Sequence, residues 1–253
     1  MPEIPAARSA LRMLRYLASR QGPVAASAIA RDLTLPRSST YQLLAVLMDE
    51  GYVVHYPEDR TYGLSTLVAE IGGSALRSER LARLARPLLD AVVARSPTPV
   101  VAHLSVLSGS EVSYAARVQG FRAPTTVSAV GVRLPAHLTA TGRALLALLS
   151  HDQVRALYPS RDRLVRRAAA GPGTLAELDR ILDDTRRRGW AVEAGEITED
   201  YASVAAAAVD RNGYPTAAIG LTYRDAPAVD ADALGQATVA AAEALTARLA
   251  GHR

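Results

Sequence analysis

An acidic cluster follows Trp190 and is the first place to look for chemistry. It comprises Glu193, Glu196, Glu199 and Asp200. Grouped carboxylates can perform acid–base catalysis when one of them holds a proton near neutral pH. In a loop, however, such a group is usually solvated, and no other catalytic residue lies nearby in the sequence. We interpret the cluster as a polar loop rather than an active site.

The chain carries no recognised catalytic or metal-binding pattern. It has no G-x-S-x-G elbow, H-E-x-x-H pair or Walker loop. The absence of cysteine excludes disulfides, thiolate metal sites and cysteine nucleophiles. The histidines show no metal-ligand spacing; they are His55, His103, His137, His151 and His252. We therefore expect neither metal nor cofactor, and we expect His103, on a predicted strand, to be half-buried with its hydrogen bonds satisfied.

A run of hydrogen-bond donors after Pro36 points to a different chemistry, the binding of nucleic acid. The run consists of Arg37, Ser38, Ser39, Thr40, Tyr41 and Gln42, with no acidic side chain before Asp49. Proline is well suited to a helix start. A helix whose first turn offers hydroxyls, an amide and a guanidinium can donate to phosphates and base edges.

The surrounding residues predict the elements that would present this helix to DNA. Ile29 and Leu33 lie one turn apart, residues 34–36 break the period, and Leu43, Leu44 and Leu47 form a second apolar stripe. Such helix pairs occur in many proteins, but a strand pattern at 51–56, a turn at 57–60 and a second strand at 61–64 follow directly. Together they predict a winged helix-turn-helix, with Arg60 at the wing tip. An opening helix is expected over residues 8–20.

The middle of the chain is predicted to form a helix from Leu64 to Ser96. The pattern is interrupted near Gly72 and Gly73, where we expect a hinge between two domains. Four apolar residues recur at helical spacing: Leu81, Leu84, Leu88 and Val92. They offer either an oligomer surface or a face packed on the second domain. Four arginines decorate the same segment, and we favour a solvated face over a second DNA contact; they are Arg77, Arg80, Arg83 and Arg86.

Beyond Pro97 strands and helices alternate. Strands at 100–107 and 112–118 form one predicted hairpin, and strands at 201–209 and 216–223 form another through Asn212-Gly213. Capping boxes start helices at Ser150 and Thr174, and a last helix covers 231–249. The fold class is therefore α+β with a mainly antiparallel sheet. The predicted domains are 1–64 for DNA binding, 65–80 as a linker helix and 81–253 for effector binding and oligomerisation.

Composition limits the class of protein and the cellular compartment that we expect. The chain has 253 residues, of which 49% are hydrophobic, and a net charge of +4. No apolar run approaches the ~18 residues that span a bilayer, and no signal-peptide pattern is present, so we expect a cytoplasmic protein. A basic balance permits a polyanionic partner without demonstrating one.

Four segments closely resemble the IclR (isocitrate lyase regulator) family of bacterial transcription factors, and the likeness runs nearly end to end. They are LTLPRSSTYQLLAVLMDEGYV, RLARLARPLLDAVVARS, VGVRLPAHLTATGRALLALL and GWAVEAGEITEDYASVAAAAVD. The family signature is matched by Gly189, Glu196, Ser203, Val204, Ala205 and Asp210. Glu193, Ala208 and Val209 depart from it, and Gln42 stands where members commonly carry arginine.

The resemblance implies a winged helix domain, a linker helix and a GAF/PAS-like effector domain. It further implies homodimers or homotetramers that bind double-stranded operator DNA and repress or activate genes under control of a small metabolite. The pocket residues that it implies are Ala140, Thr141, Glu193, Ser203, Gly220 and Thr222. Free backbone amides at the start of a helix bind a carboxylate well. This independently supports the assignment of Ala140 and Thr141 to the pocket. Gly220, where relatives can carry serine, is expected to enlarge the pocket.

A charged Glu193 beside an anionic ligand is repulsive, which restricts the effector. The repulsion is relieved if Glu193 accepts a bond from a ligand hydroxyl, is protonated, or points to solvent; alternatively Glu193 only caps its loop with Glu196. The first option favours a hydroxylated organic acid, aliphatic or aromatic. The rival function is a metabolite-processing enzyme with a winged-helix docking module. An architectural DNA binder is disfavoured because the second domain is larger than DNA bending requires.

Overall fold

The computed structural model describes residues 4–20, 22–160, 163–167 and 171–251, with side chains 74–77 left out. His252 and the side chain of Arg77 therefore lie outside the described part. The chain divides into two compact units, Met1–Arg77 and Ser78–Arg253.

The first unit is a winged helix-turn-helix, as predicted. Its elements are α1 (Pro5–Ala18), β1 (Val24–Ala25), α2 (Ala26–Leu33), α3 (Arg37–Asp49), β2 (Val53–Tyr56) and β3 (Thr61–Leu64). The strands form an antiparallel sheet in the order β1-β3-β2. Thr34 ends α2 in the left-handed conformation with φ 55°, and Pro36 immediately precedes α3. The core joins all three helices to the wing through Met13, Leu17, Ile29, Leu33, Leu44, Leu47, Val53 and Tyr62.

The predicted interruption at Gly72 and Gly73 is wrong, because α4 runs unbroken from Thr66 to Arg95 and also contains Pro87. A glycine inside a helix costs about 1 kcal/mol relative to alanine. Burial of Leu81, Ala85 and Leu89 against the second unit's core offsets such costs, since each large buried side chain contributes about 1.5–3 kcal/mol. The division between the two units falls inside this helix.

The predicted apolar stripe of α4 is part of the second unit's own core. Leu81 is buried, and the other three residues of the stripe pack against the same cluster half-buried. Of the two roles that the sequence left open, the structure shows packing within the unit. Arg80, Arg83 and Arg86 are exposed, as expected of a solvated face.

The second unit is built on one six-stranded antiparallel sheet. Its strands are β4 (Val101–Ser108), β5 (Glu111–Gln119), β6 (Arg133–Pro135), β7 (Ala191–Ala194), β8 (Tyr201–Val209) and β9 (Pro215–Arg224). The order across the sheet is β6-β5-β4-β9-β8-β7. Both predicted hairpins are present, β4–β5 and β8–β9. The short strands β6 and β7 were not predicted, and β7 takes Glu193 out of the loop to which the sequence assigned it.

Helices cover both faces of this sheet. The C-terminal part of α4 and α8 (Ala231–Gly251) pack on one face. On the other face lie α5 (Ala140–Leu146), α6 (His151–Leu157) and α7 (Leu175–Arg188). Both predicted capping boxes form, at Ser150 and Thr174. Within the described ranges, no helix combines the length and apolar character needed to cross a membrane.

Candidate effector pocket and DNA-binding surface

A cavity lies in the second unit between the start of α5 and the sheet. It holds about 460 Å³ of empty space including its mouth, although the room in which a water molecule can be centred is only about 30 Å³. All six residues implied by the family resemblance line it, together with His103, Tyr114, Thr126, Ser128, Thr139 and Tyr201. The pocket is thus narrow and mixed in polarity.

Strand alternation carries two of the expected residues into the pocket. Ser203 on β8 and Thr222 on β9 are cross-strand partners, and their hydroxyls are 2.9 Å apart. Their neighbours Val204 and Leu221 point to the opposite face and join the α4–α8 core, because successive side chains of a strand alternate.

Gly220 does not enlarge the pocket as expected. A β-carbon built on it would lie 2.6 Å from the Thr141 methyl group. The missing side chain is therefore replaced by Thr141, which packs directly against the strand backbone. Because residue 220 is a glycine, α5 can approach β9 closely. The space that a side chain would occupy is filled and is not available to a ligand.

The start of α5 holds unsatisfied polar groups. Thr139 caps the helix by accepting the Gly142 amide at 3.1 Å, and its carbonyl accepts the Arg143 amide. Within the described residues the amides of Ala140 and Thr141 have no comparable acceptor. Thr141 is 4% exposed, and its hydroxyl oxygen is buried without a hydrogen-bond partner among the residues that the structure describes.

Arg143 anchors α5 to the other wall of the pocket, a role that no pattern in the sequence indicated. Although only 3% exposed, it donates to the carbonyls of His137 at 2.8 Å and Val192 at 2.7 Å. Its third contact is a buried ion pair with Glu196 at 2.8 Å. Glu196 also accepts the Ala194 amide, so the acidic cluster is partly structural rather than a solvated loop.

Glu193 is buried on β7, at 4% exposure, which rules out the solvent-facing option. Its Oε1 accepts the amides of Glu196 at 3.1 Å and Ile197 at 3.2 Å, so it does cap the turn after β7. It also lines the pocket. Burial, reinforced by the charge of Glu196, raises the pKa of Glu193 to about 7, so a large share of it is protonated near neutral pH.

His103 differs from the sequence expectation. It is 2% exposed rather than half-buried, and its Nδ1 has no hydrogen-bond partner in the part of the chain that the structure describes. Burial, with the nearby charge of Arg117, lowers the pKa of His103 to about 3. The ring meets Tyr114 edge-on at 5.3 Å between centroids. A register shift beside Leu104 and Ser105 makes Tyr114 the partner of Ser105, as a β-bulge does when it re-aims a side chain.

The DNA-binding residues predicted on α3 divide into exposed and buried positions. Arg37, Ser38, Tyr41 and Gln42 are exposed, and Ser39 is half-buried. Thr40 is fully buried, and its hydroxyl donates to the Pro36 carbonyl. Its inclusion in the DNA-contacting set is therefore wrong: it shares the core-facing side of α3 with Leu44 and Leu47.

The wing carries Arg60 where the sequence placed it, in the turn between β2 and β3. It is exposed and adopts φ 52°. Tyr56, at 41% exposure, adds an aromatic surface on the same hairpin. Throughout the described ranges, no three metal-ligating side chains converge on a point.

A winged helix-turn-helix followed by an antiparallel sheet domain with an internal polar pocket is an architecture of bacterial transcription factors. Residues 6–57 match the IclR helix-turn-helix domain, and residues 73–250 match the C-terminal domain of the bacterial transcriptional regulator IclR. The chain belongs to the IclR family of transcriptional regulators.

Individual relatives agree with this assignment. The chain is 27% identical over 235 residues to the HTH-type transcriptional regulator XynR of Escherichia coli, covering 92% of this chain and 91% of XynR. The crystal structure of Thermotoga maritima IclR matches with a TM-score of 0.65 at 23% identity over 98% of this chain and 99% of that one. An IclR homologue from Microbacterium hydrocarbonoxydans, solved in complex with 4-hydroxybenzoate, matches with a TM-score of 0.62 at 22% identity over 96% and 98% of the two chains. The matching families are regulators, not enzymes.

Proposed function

We propose that this protein binds operator DNA through α3 and the wing, and that a small organic acid in the pocket of the second unit controls its action on transcription. The acid class and the residues that bind it are our inference. Family membership supports the first half of this proposal, and the chemistry of the pocket supports the second.

The exposed face of α3 supports DNA recognition by side-chain donors. Arg37, Tyr41 and Gln42 are exposed in its first two turns, and the first turn contains no acidic residue. Glutamine can pair with the N6 and N7 atoms of adenine, whereas arginine binds phosphate or guanine. Arg60 on the wing supplies a further cation for the phosphate backbone.

The observation that carries the effector proposal is the Thr141 hydroxyl, which is buried without a hydrogen-bond partner in the described part of the chain. It lies beside the amides of Ala140 and Thr141 at the start of α5. The Tyr114 phenol lies near Thr141 and stays protonated because burial raises its pKa to about 12. This phenol interacts with the Thr141 hydroxyl, but the two groups do not form a hydrogen bond of standard geometry. Buried donors left unpaired cost about 1–3 kcal/mol each, and a carboxylate would satisfy them together.

Two further observations support an acid. The pKa of Glu193 near 7 favours its neutral form beside such an anion, which removes the repulsion that a charged carboxylate would cause. The 4-hydroxybenzoate bound by the Microbacterium homologue is an acid of this kind.

The test is a fluorescence anisotropy titration of the full chain with the DNA upstream of its own gene and with a scrambled fragment of equal composition. We expect the protein to bind the upstream DNA sequence-specifically. We also expect one organic acid, from a panel of hydroxy acids, aromatic acids and amines, to change this binding.

Thr141→Val should bind the DNA normally but respond to the acid only at higher concentration. Equal affinity for both fragments would contradict operator recognition, and a response confined to amines would contradict the acid site. Catalytic turnover of an acid would instead support the rival function, a metabolite-processing enzyme with a winged-helix docking module.

A further inference from the structure

His103 lies on the pocket-facing side of the sheet and forms part of the pocket wall. It lies on β4, opposite Gly220 of β9, and lines the same cavity as Thr141, Ser203 and Thr222. The polar contact that the structure gives its ring is with Ser128, whose Oγ is 3.2 Å from Nε2. Ser128 belongs to the segment between β5 and β6 and is itself buried.

The hydrogen bonds around Ser128 determine where His103 carries its proton. Ser128 donates its single hydroxyl proton to Thr126 Oγ1 at 2.9 Å. In that arrangement it accepts from His103, which assigns the hydrogen of the neutral ring to Nε2. A neutral imidazole protonated at Nε2 has a bare lone pair at Nδ1, and the ring is neutral because its pKa is about 3.

Nδ1 is therefore a buried acceptor that lacks a donor among the described residues. Buried polar atoms are almost always satisfied by protein, water or ligand. Glu193, the acceptor that the sequence suggested for a ligand hydroxyl, already uses one oxygen for two backbone amides. His103 has no such commitment at Nδ1.

We infer that Nδ1 of His103 accepts a hydrogen bond from a hydroxyl group of the effector, so that the pocket selects a hydroxylated organic acid over the same acid without that hydroxyl. This inference rests on the proposed acid site and adds a second recognition point to it. The carboxylate is held at the start of α5, and the hydroxyl is read across the pocket on β4. Ser128 and Thr126 are positioning residues because they hold the imidazole in the accepting tautomer.

Calorimetric titration of the full chain with matched triplets separates the two recognition points. The triplets are 4-hydroxybenzoate, benzoate and 4-methoxybenzoate, and 3-hydroxybutanoate, butanoate and 3-methoxybutanoate. The methoxy acids retain the oxygen but cannot donate. In at least one triplet we expect the hydroxy acid to bind about tenfold more tightly than both analogues, the effect of one net hydrogen bond.

Two variants test which residue is responsible for the preference for the hydroxy acid. His103→Phe keeps a ring of similar size and should bring the tenfold ratio close to one. Thr141→Val should weaken all members of the triplet alike and preserve the ratio. A ratio unchanged in His103→Phe, or absent from the wild type while acids still bind, overturns the inference but leaves the acid site intact. Failure of every acid to bind the wild type overturns the acid site, and this inference with it.

A spectroscopic measurement on the wild type avoids any dependence on variant folding. In protein labelled with ¹⁵N-histidine, His103 should show a protonated Nε2 and a bare Nδ1, and its Nδ1 resonance should move to lower frequency when 4-hydroxybenzoate or 3-hydroxybutanoate binds. Benzoate and butanoate should leave it in place. The opposite tautomer, or equal shifts with the hydroxy acids and their analogues, contradicts the inference.

Discussion

At the scale of single residues, burial determines which charges matter. Arg143 and Glu196 are both almost inaccessible, whereas the pair of Arg187 with Asp184 on α7 is largely exposed. Exposed pairs contribute little because water and salt screen them. Removing one partner of a buried pair leaves an uncompensated charge, which is much more costly.

Arg143→Met is therefore expected to lower the free energy of unfolding by about 3–5 kcal/mol, measured by urea denaturation. The matched control is Arg187→Met, which breaks an exposed pair with Asp184 and should change it by less than about 1 kcal/mol. Adding Glu196→Gln to Arg143→Met should recover part of the loss. Equal effects of the two single variants would contradict a stabilising role for the buried pair.

Glu193 gives the protein a pH-dependent stability. Because its pKa rises from 4.5 to about 7 on folding, the folded state binds the proton more tightly than the unfolded state. Its favourable contribution is present below about pH 4.5 and is lost as the pH rises through 7. Relative to wild type, Glu193→Gln should therefore gain stability between these values, by at most about 3 kcal/mol.

Thermal unfolding of both proteins across this range measures the difference. The side-chain amide introduced by Glu193→Gln retains an oxygen that can accept the amides of Glu196 and Ile197, so the cap itself is conserved. A difference between the two proteins that does not change with pH would contradict the raised pKa.

At the scale of elements, α3 combines a buried stripe with an exposed donor face. Gln42→Ala should relax sequence preference at one operator position, since a bidentate contact to adenine provides about 1–3 kcal/mol of discrimination. Arg37→Ala should weaken all DNA sites and reduce the salt dependence by about one ion. Arg187→Ala on α7 is the control and should do neither. Unchanged operator affinity and selectivity in both α3 variants would refute the assignment of this face.

The seating of α5 depends on a glycine. A β-carbon at Gly142 would lie 2.2 Å from the Ala136 carbonyl oxygen, and backbone atoms cannot yield as a flexible side chain can. Gly142→Ala should lower the unfolding free energy by about 1–3 kcal/mol and weaken acid binding. Gly72→Ala, in open space within α4, should instead raise it by about 0.5–1 kcal/mol. Matching signs for the two substitutions would contradict this argument.

At the scale of the whole molecule, we predict that the protein is at least a dimer. A single winged helix contacts one half-site, and two half-sites are needed to compete with genomic DNA. The α4 stripe no longer supports this prediction, because its residues pack within their own unit. Light scattering at micromolar concentration should give at least twice the 26.8 kDa of one chain. A mass equal to one chain would be incompatible with it.

The sequence by itself determined the local elements. The Asn212-Gly213 turn, the two capping boxes and the wing after α3 all formed where they were predicted, because neighbouring residues satisfy each other's hydrogen bonds at short range. The family resemblance likewise selected pocket residues that the fold brings to one cavity.

The tertiary structure decided which of these residues are buried and what they contact. Thr40 carries the same hydroxyl as its neighbours but lies in the core, a position indicated only by its spacing to Leu44 and Leu47. The raised pKa of Glu193, the unpartnered Nδ1 of His103 and the buried ion pair of Arg143 arise from how separate strands and helices pack around them. Burial and long-range pairing depend on how separate elements meet, and no local pattern around these three residues encodes that.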